Sequence, residues 1–389
     1  MKTKLATAIA LSLLAGTTFA APTFYGEIDA SVDYLPEDNS SRNPTNLNNT
    51  GDKDVVELSS NSSFVGLKGE EKLTDRLSGI YAIEWAFNSD GEGSDWSQRN
   101  RFVGLKDAKL GTLKVGAHDT PLKQLSSPVD TFNNYVANKA DVTGIMTGET
   151  RLANAVVYES PAFAVAEGKI QANVLLATGE NSGIKKGNGA SKTAGRGLGD
   201  AWSASLVYNS PVVVAGIAYD KAVPTTFAGR GFDNAQYPEA VQSGLFAAAN
   251  TVRAIGRINL DGGLALKALY QTSEPELTSN GDISAIDLTA QTNWANSVND
   301  IDDAQGWLIG AEYNLPNAKA WTVKGQYSQN STSFKNGASD FDAEQIFVGA
   351  DYAFSKQVKA YGYAGYLTLE KGSAETKQPV VGTGLEYKF

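Results

Sequence analysis

"GTGLEYKF" occupies residues 382–389 of the chain. Thr383, Leu385, Tyr387 and Phe389 alternate with Gly384, Glu386 and Lys388. A period of two is that of a β-strand with one apolar and one polar face. Chain ends are usually frayed and polar, so a terminus that keeps this period up to an aromatic residue reads as a paired strand. The same period governs "FYGEIDASVDY" (24–34), where Phe24, Gly26, Ile28, Ala30, Val32 and Tyr34 oppose Glu27, Asp29, Ser31 and Asp33. It recurs in "LSGIYAIEWAF" (77–87, with Ile80 out of phase), "GTLKVGA" (111–117), "AWSASLVY" (201–208), "LALKALYQ" (264–271), "GWLIGAEYNL" (306–315) and "WTVKGQYS" (321–328). The chain is all-β over most of its length.

Two architectures accommodate such a chain. A soluble sandwich buries its apolar faces, whereas a membrane barrel turns them to lipid and its polar faces to a water-filled lumen. Charge recurs at strand centres throughout (Glu84, Lys114, Lys267, Glu312, Lys324), and the apolar faces end in Trp, Tyr or Phe. That combination favours a barrel with aromatic belts. Connection lengths agree. "VYESP" (157–161), "VYNSP" (207–211) and "EYNLP" (312–316) repeat one strand end, with Tyr158 and Tyr208 50 residues apart and Tyr208 and Tyr313 105 apart. Turns on that side are short, as in "DAKLG", "DGG", "PNAK" and "SKQ". The other side carries long Asn-, Asp-, Ser- and Gly-rich stretches near 36–54, 89–97, 119–150, 178–200, 222–249, 275–305, 331–341 and 370–379. Eight long loops imply a transmembrane antiparallel β-barrel of about 16 strands. A barrel of that size is too wide for side chains to fill.

Residues 1–20, "MKTKLATAIALSLLAGTTFA", have a basic start, a short apolar run and a small residue at Ala20. That is the layout of a cleaved signal peptide, and the apolar run is too short for a membrane anchor. Residues 21–389 are expected to form a single barrel domain, since no linker divides them. Losing Lys2 and Lys4 takes the formal charge from -10 to -12, which argues against a nucleic-acid partner. There is no cysteine, which excludes disulfides and thiolate metal sites. With one histidine, and loop acids that could at most bind divalent cations loosely, neither a metal site nor a cofactor is expected.

One loop differs in composition. Residues 118–150 contain Leu122, Leu125, Val129, Phe132, Tyr135, Val136, Val142, Ile145 and Met146, whereas 178–200 is nearly devoid of apolar residues. Such a loop is expected to fold onto the dry inner wall of the barrel and narrow it. The alternative is an outward loop packed on a neighbouring subunit. The stretch 222–249 also holds Phe227, Phe232, Leu245 and Phe246. On the inward reading, Asp119, Asp130, Asp141 and Glu149 form the acidic side of a constriction. Strand register puts Lys68, Lys114, His118, Arg151, Arg253, Arg257, Lys267 and Lys324 on the lumen side as a facing basic wall, which would set a transverse field across water.

"FYGEIDASVDY", "SSFVGLKGEEKL" (62–73) and "QRNRFVGLKDAKLGTLKVG" (98–116) resemble the general porins of Gram-negative outer membranes, of the proteobacterial type with neisserial relatives. "DTPLK" and "VDTFNN", followed by "TRLANAVVYESPAF" (150–163), resemble that family's inward-folded third loop and the strand after it. The resemblance runs from about Phe24 to Phe389. It implies a 16-stranded barrel, a homotrimer in outer-membrane lipid and lipopolysaccharide, and passive diffusion of ions and small hydrophilic solutes. Carried onto this chain, the loop acids fall near Asp119 and Asp130, and the basic wall near Lys68, Arg151 and Lys114. Where the family often has an arginine after "KVG", this chain has Ala117 and His118, which opens a pH dependence of conductance. Leu385, Tyr387 and Phe389 resemble the signal read by the barrel-insertion machinery.

Other functions fare worse. A barrel hydrolase would need an activated nucleophile, and His118 is the only histidine. An adhesin would have a plugged lumen. A substrate-selective porin would need an aromatic track or a ladder of basic residues, and an aromatic track does not separate from the lipid belts in the sequence.

Overall fold

The computed structural model describes residues 21–36, 55–91, 96–178, 197–227, 246–277, 300–335 and 337–389. The expected signal peptide lies outside the described residues, as do most of the long loops, including Phe232 and Leu245.

Sixteen antiparallel strands form one sheet that closes on itself. They are β1 (Thr23–Leu35), β2 (Val55–Ser60 continued as Phe64–Lys72), β3 (Leu77–Ala86), β4 (Ser97–Asp107) and β5 (Gly111–Asp119). Next come β6 (Arg151–Glu159 continued as Phe163–Val165), β7 (Gly168–Ala177), β8 (Ala201–Asn209), β9 (Val213–Thr226), β10 (Phe246–Asn259) and β11 (Leu264–Pro275). The last five are β12 (Ile301–Asn314), β13 (Trp321–Phe334), β14 (Phe341–Ala353), β15 (Val358–Lys371) and β16 (Ala374–Lys388). Both parts of β2 pair with β1, and both parts of β6 pair with β7, so each is a single interrupted strand. Every other strand pairs with its sequence neighbours, because antiparallel strands join through short turns.

The seam is made by "GTGLEYKF". β16 pairs with β1 from Glu27↔Lys388 to Tyr34↔Val381. Gly26 and Phe389 exchange both backbone hydrogen bonds, at 3.0 and 3.1 Å. Closure leaves no open edge, as a sheet in hydrocarbon requires.

The barrel is apolar outside and polar inside. Phe24, Ile28, Val32, Val103, Val115, Ile217, Ile309 and Val348 are exposed on its outer face. Asp29, Ser31, Asp33, Ser203, Gln271 and Ser328 are buried on the inner face. A soluble protein shows the reverse. Aromatic pairs punctuate the outside, among them Trp202–Tyr219, Trp307–Tyr327 and Trp321–Tyr352, with ring centroids 5.0–5.2 Å apart. Among the described residues, no helix is long and apolar enough to cross a membrane; the strands do so instead.

Candidate functional site: the narrowing of the lumen

Residues 120–150 leave β5 and turn inward. Thr120 caps helix α1 (Pro121–Ser126), its hydroxyl accepting from the Lys123 amide at 3.1 Å, with Pro121 in the first turn. A short turn, α2 (Tyr135–Asn138), follows. Asn134, Val136, Ala137 and Asn138 all have φ between 51 and 73° there. Non-glycine residues avoid that region, so tertiary contacts must hold them in it. The Ala137 amide donates to Asn61 at 2.9 Å, and Val136 is buried. Asp141 then caps α3 (Val142–Ile145), accepting from the Gly144 amide at 3.1 Å.

The nine apolar residues of the loop are all buried, packed with Ile255, Leu269, Leu308, Phe347, Tyr361 and Tyr363 of the barrel wall. Phe132 meets Phe347 at 5.3 Å, and Tyr135 stacks on Tyr361 at 4.2 Å. Two wall glycines admit loop side chains: a Cβ at Gly216 would lie 2.5 Å from Leu125, and one at Gly310 would lie 2.6 Å from Thr131. Phe227, after β9, is also buried, and its carbonyl accepts from Asn330 at 3.3 Å. The apolar residues of the loop therefore pack on one half of the wall, β8 to β15, while Ala137 and Asn134 reach Asn61 within β2 and Glu27 of β1.

This placement decides where each anticipated charge sits. Arg253 is fully buried under the loop. It pairs with Glu149 and donates to the carbonyls of Thr147 (2.7 Å) and Leu122 (3.3 Å) and to Gln271 (2.6 and 2.9 Å). Lys324 lies 2.7 Å from the Tyr135 hydroxyl and pairs with Asp351 at 2.9 Å. Lys267 pairs with Glu312 at 2.5 Å, and Arg257 reaches the Pro128 carbonyl at 3.5 Å. The expectation that these four face the loop across water is corrected. They lie behind it, because the loop's apolar residues seek the wall on which these cations stand.

Lys68 is corrected too. It pairs in register with Thr23 and lies over the Tyr25 ring at 4.5 Å, at the short-turn end of the barrel. Lys114 pairs with Glu159 at 2.5 Å and stands 3.3 Å from His118. His118 is buried, and its Nδ1 lies 2.9 Å from the Asp119 carbonyl oxygen. Asp141 is buried as a helix cap instead of facing water.

Between the free edge of the loop and β1–β6 remains a cavity of about 600 Å³. Arg151, Asp119, Asp130 and Glu149 line it. Arg99, Lys123, Glu27, Gln98 and Asn134 line it without having been anticipated. Arg151 pairs with Asp119 at 3.0 Å and donates to Asn100 at 2.9 Å, and Lys123 reaches Asp119 at 3.4 Å. Arg99 sits over the Phe64 ring at 4.5 Å, and its Nε is 3.9 Å from Glu84. Arg99 and Asn100 both point inward because the register between β3 and β4 shifts between Ile83 and Trp85, placing two residues of β4 opposite Glu84. In the loop, burial pushes the Asp141 carboxyl up to about 6, and the Glu149 charge adds to this. Burial and the neighbouring Asp141 hold Asp130 well above the usual carboxylate range.

At the far seam, Leu385 and Tyr387 face outward, and Phe389 stacks on Phe24 at 5.4 Å.

A closed, lipid-facing barrel of sixteen strands around a polar, narrowed lumen is a diffusion channel. The chain belongs to the Gram-negative porin family, whose family model matches residues 6–372. It is similar to the major outer membrane protein P.IB of Neisseria gonorrhoeae, 25% identical over 387 residues and 98% of each chain. The protein of that name from Neisseria meningitidis serogroup B is 27% identical over 390 residues, again 98% of each chain. Among solved structures, the fold is similar to an anion-selective porin from Comamonas acidovorans (TM-score 0.67, 17% identity, 95% of this chain and 100% of that one). It is also similar to the outer membrane channel DcaP of Acinetobacter baumannii (TM-score 0.62, 14% identity, 96% and 99%). The protein is an outer-membrane porin, forming a water-filled channel for ions and small hydrophilic solutes. Proteins of this family are channels rather than enzymes.

Proposed function

We propose that solutes crossing this channel are selected by size and charge in the gap between loop 120–150 and the wall made by β1–β6. The observation that carries this reading is the one-sided seating of the loop. Its apolar residues and Arg253 fasten it to β8–β15, leaving the cavity beside Arg99 and Arg151 as the route for water. Arg99, Arg151 and Lys123 supply positive charge there, and Asp119, Glu149 and Glu27 supply negative charge. Ion pairing ties Asp119 to Arg151 and Lys123, and Glu149 to Arg253. Unlike charges facing each other across a narrow gap orient water and sort ions, and low-dielectric walls strengthen their field. The resemblance to the general porins further supports three copies assembling side by side, each with its own channel.

Reversal potentials in a KCl gradient test the reading. Replacing Arg99 and Arg151 together by serine shifts selectivity toward cations, and Asp119→Asn shifts it toward anions. Wild-type potentials in both variants would overturn it.

A further inference from the structure

The β1–β16 seam carries a cluster of three acids, of which only Glu27 also lines the constriction. In register, Asp29 stands directly opposite Glu386, and Glu27 lies two residues along β1 opposite Lys388. All three acids are buried on the inner face. Like charges directly opposed across two strands repel, so the pair needs a counter-charge.

Two lysines are at hand, and both serve Glu386. Lys359 lies 3.0 Å from its Oε2 and Lys388 2.8 Å from its Oε1, while Lys388 reaches Glu27 only at 3.5 Å. Asp29 has no ion-pair partner among the described residues. Its Oδ1 accepts from Tyr361 and, at 3.4 Å, from Asn61. Its Oδ2 has no hydrogen-bond partner there, although the residue is 0% exposed. A buried carboxylate with one orphaned oxygen and no cation calls for something to neutralise it.

We propose that Glu27, Asp29 and Glu386 bind a calcium ion. One oxygen from each lies within 4.8 Å of the others. Calcium holds oxygens at about 2.3–2.6 Å, so two of its ligands sit up to roughly 5 Å apart; magnesium, at about 2.0–2.1 Å, spans only about 4.2 Å. Calcium's longer and more flexible coordination suits such a cluster better than magnesium's short octahedral one, which also sheds its water reluctantly. Glu27 borders the cavity described above, which gives the ion an aqueous route. The Lys388 side chain is 52% exposed and is free to swing into water as the ion arrives, leaving Lys359 on Glu386. Three carboxylates against two ammonium groups leave the seam one charge negative. With Lys388 swung into water, bound calcium cancels the negative charge at the seam.

The site shares only Glu27 with the selectivity reading and is tested by binding alone. Calcium chloride is titrated calorimetrically into the folded, full-length barrel in calcium-free detergent buffer. One saturable site per chain is expected, with Kd on the order of 10⁻⁴–10⁻³ M, and magnesium chloride should bind at least about tenfold more weakly. Asp29→Asn and Glu386→Gln should each weaken calcium at least about tenfold, since each removes one of three anionic ligands. Asp75→Asn, at an exposed turn, should not. Folding of each variant is verified by heat-dependent gel mobility. Glu27→Gln, whose side chain borders water, serves if the buried variants do not fold. Absence of a saturable site in the unmodified protein would overturn the proposal, as would equal affinity for magnesium or undiminished binding in Glu27→Gln.

Discussion

Replacing Arg253 by methionine should release the loop. The guanidinium holds loop and wall together through the Glu149 carboxylate, the Thr147 and Leu122 carbonyls and Gln271. Methionine fills much of the volume but donates nothing. Glu149 is left as a nearly buried anion without its partner, its side chain 7% exposed. Breaking one side of a buried ion pair costs about 3–5 kcal/mol. At about 1.4 kcal/mol per decade, the population of displaced loops rises by roughly 10² to a few times 10³. Gln271 still reaches Thr147 Oγ1 at 2.6 Å, so part of the attachment survives. In planar bilayers the variant should show larger single-channel conductance and more open-channel noise. Adding Glu149→Gln should recover much of the loss, because the uncompensated anion is gone. Wild-type conductance and noise in Arg253→Met would refute the reasoning, as would a double variant no quieter than the single one.

Other outcomes follow from the same contacts. Gly310→Val places methyl groups where Thr131 sits; overpacking costs about 1–3 kcal/mol, so conductance should rise while Gly310→Ala changes it less. The Asp141 carboxyl is held near 6 in the folded protein, above its ordinary value near 4. Its destabilising contribution is therefore absent below about pH 4, grows as pH rises and is complete above about 6. Asp141→Asn should thus raise the temperature at which the folded gel band is lost at pH 8 and leave it unchanged at pH 4. In the unmodified channel, lowering the pH from 7 to 5 protonates this acid and should move the reversal potential toward anions. Phe389→Ala removes the stack on Phe24 and should lower that melting temperature by an amount corresponding to about 0.5–1.5 kcal/mol, leaving conductance unchanged.

The barrel was legible because lipid and water impose a period of two on every strand. The alternation of "GTGLEYKF" and "FYGEIDASVDY" gave both the faces and the partners of the seam. The inward loop was legible from its apolar residues, which have no other dry surface to meet. Which charges line the route was less so. Alternation says that Arg253, Lys267 and Lys324 point inward. It does not say that a loop from elsewhere in the chain will cover them. Arg99 escaped for a different reason: the β-bulge against Glu84 turns two successive residues inward, so a strict period of two hides one of them. The Arg-Asn pair in "QRNRF" carried no mark of a bulge. Asp141 looked like a loop acid facing water, and its capping role needed the position of Gly144.

Solutes pass on the β1–β6 side of the loop and not on the β8–β15 side, and thiol labelling tests this directly. The chain has no cysteine, so single thiols can be introduced cleanly. Gln98→Cys lies on the cavity, and Ser328→Cys lies on the fully buried inner face of β13. Current through each is recorded while a charged, water-soluble thiosulfonate is added. Current should fall stepwise in Gln98→Cys and stay constant in Ser328→Cys. Block in Ser328→Cys with none in Gln98→Cys would place the route on the other side of the loop and contradict the account.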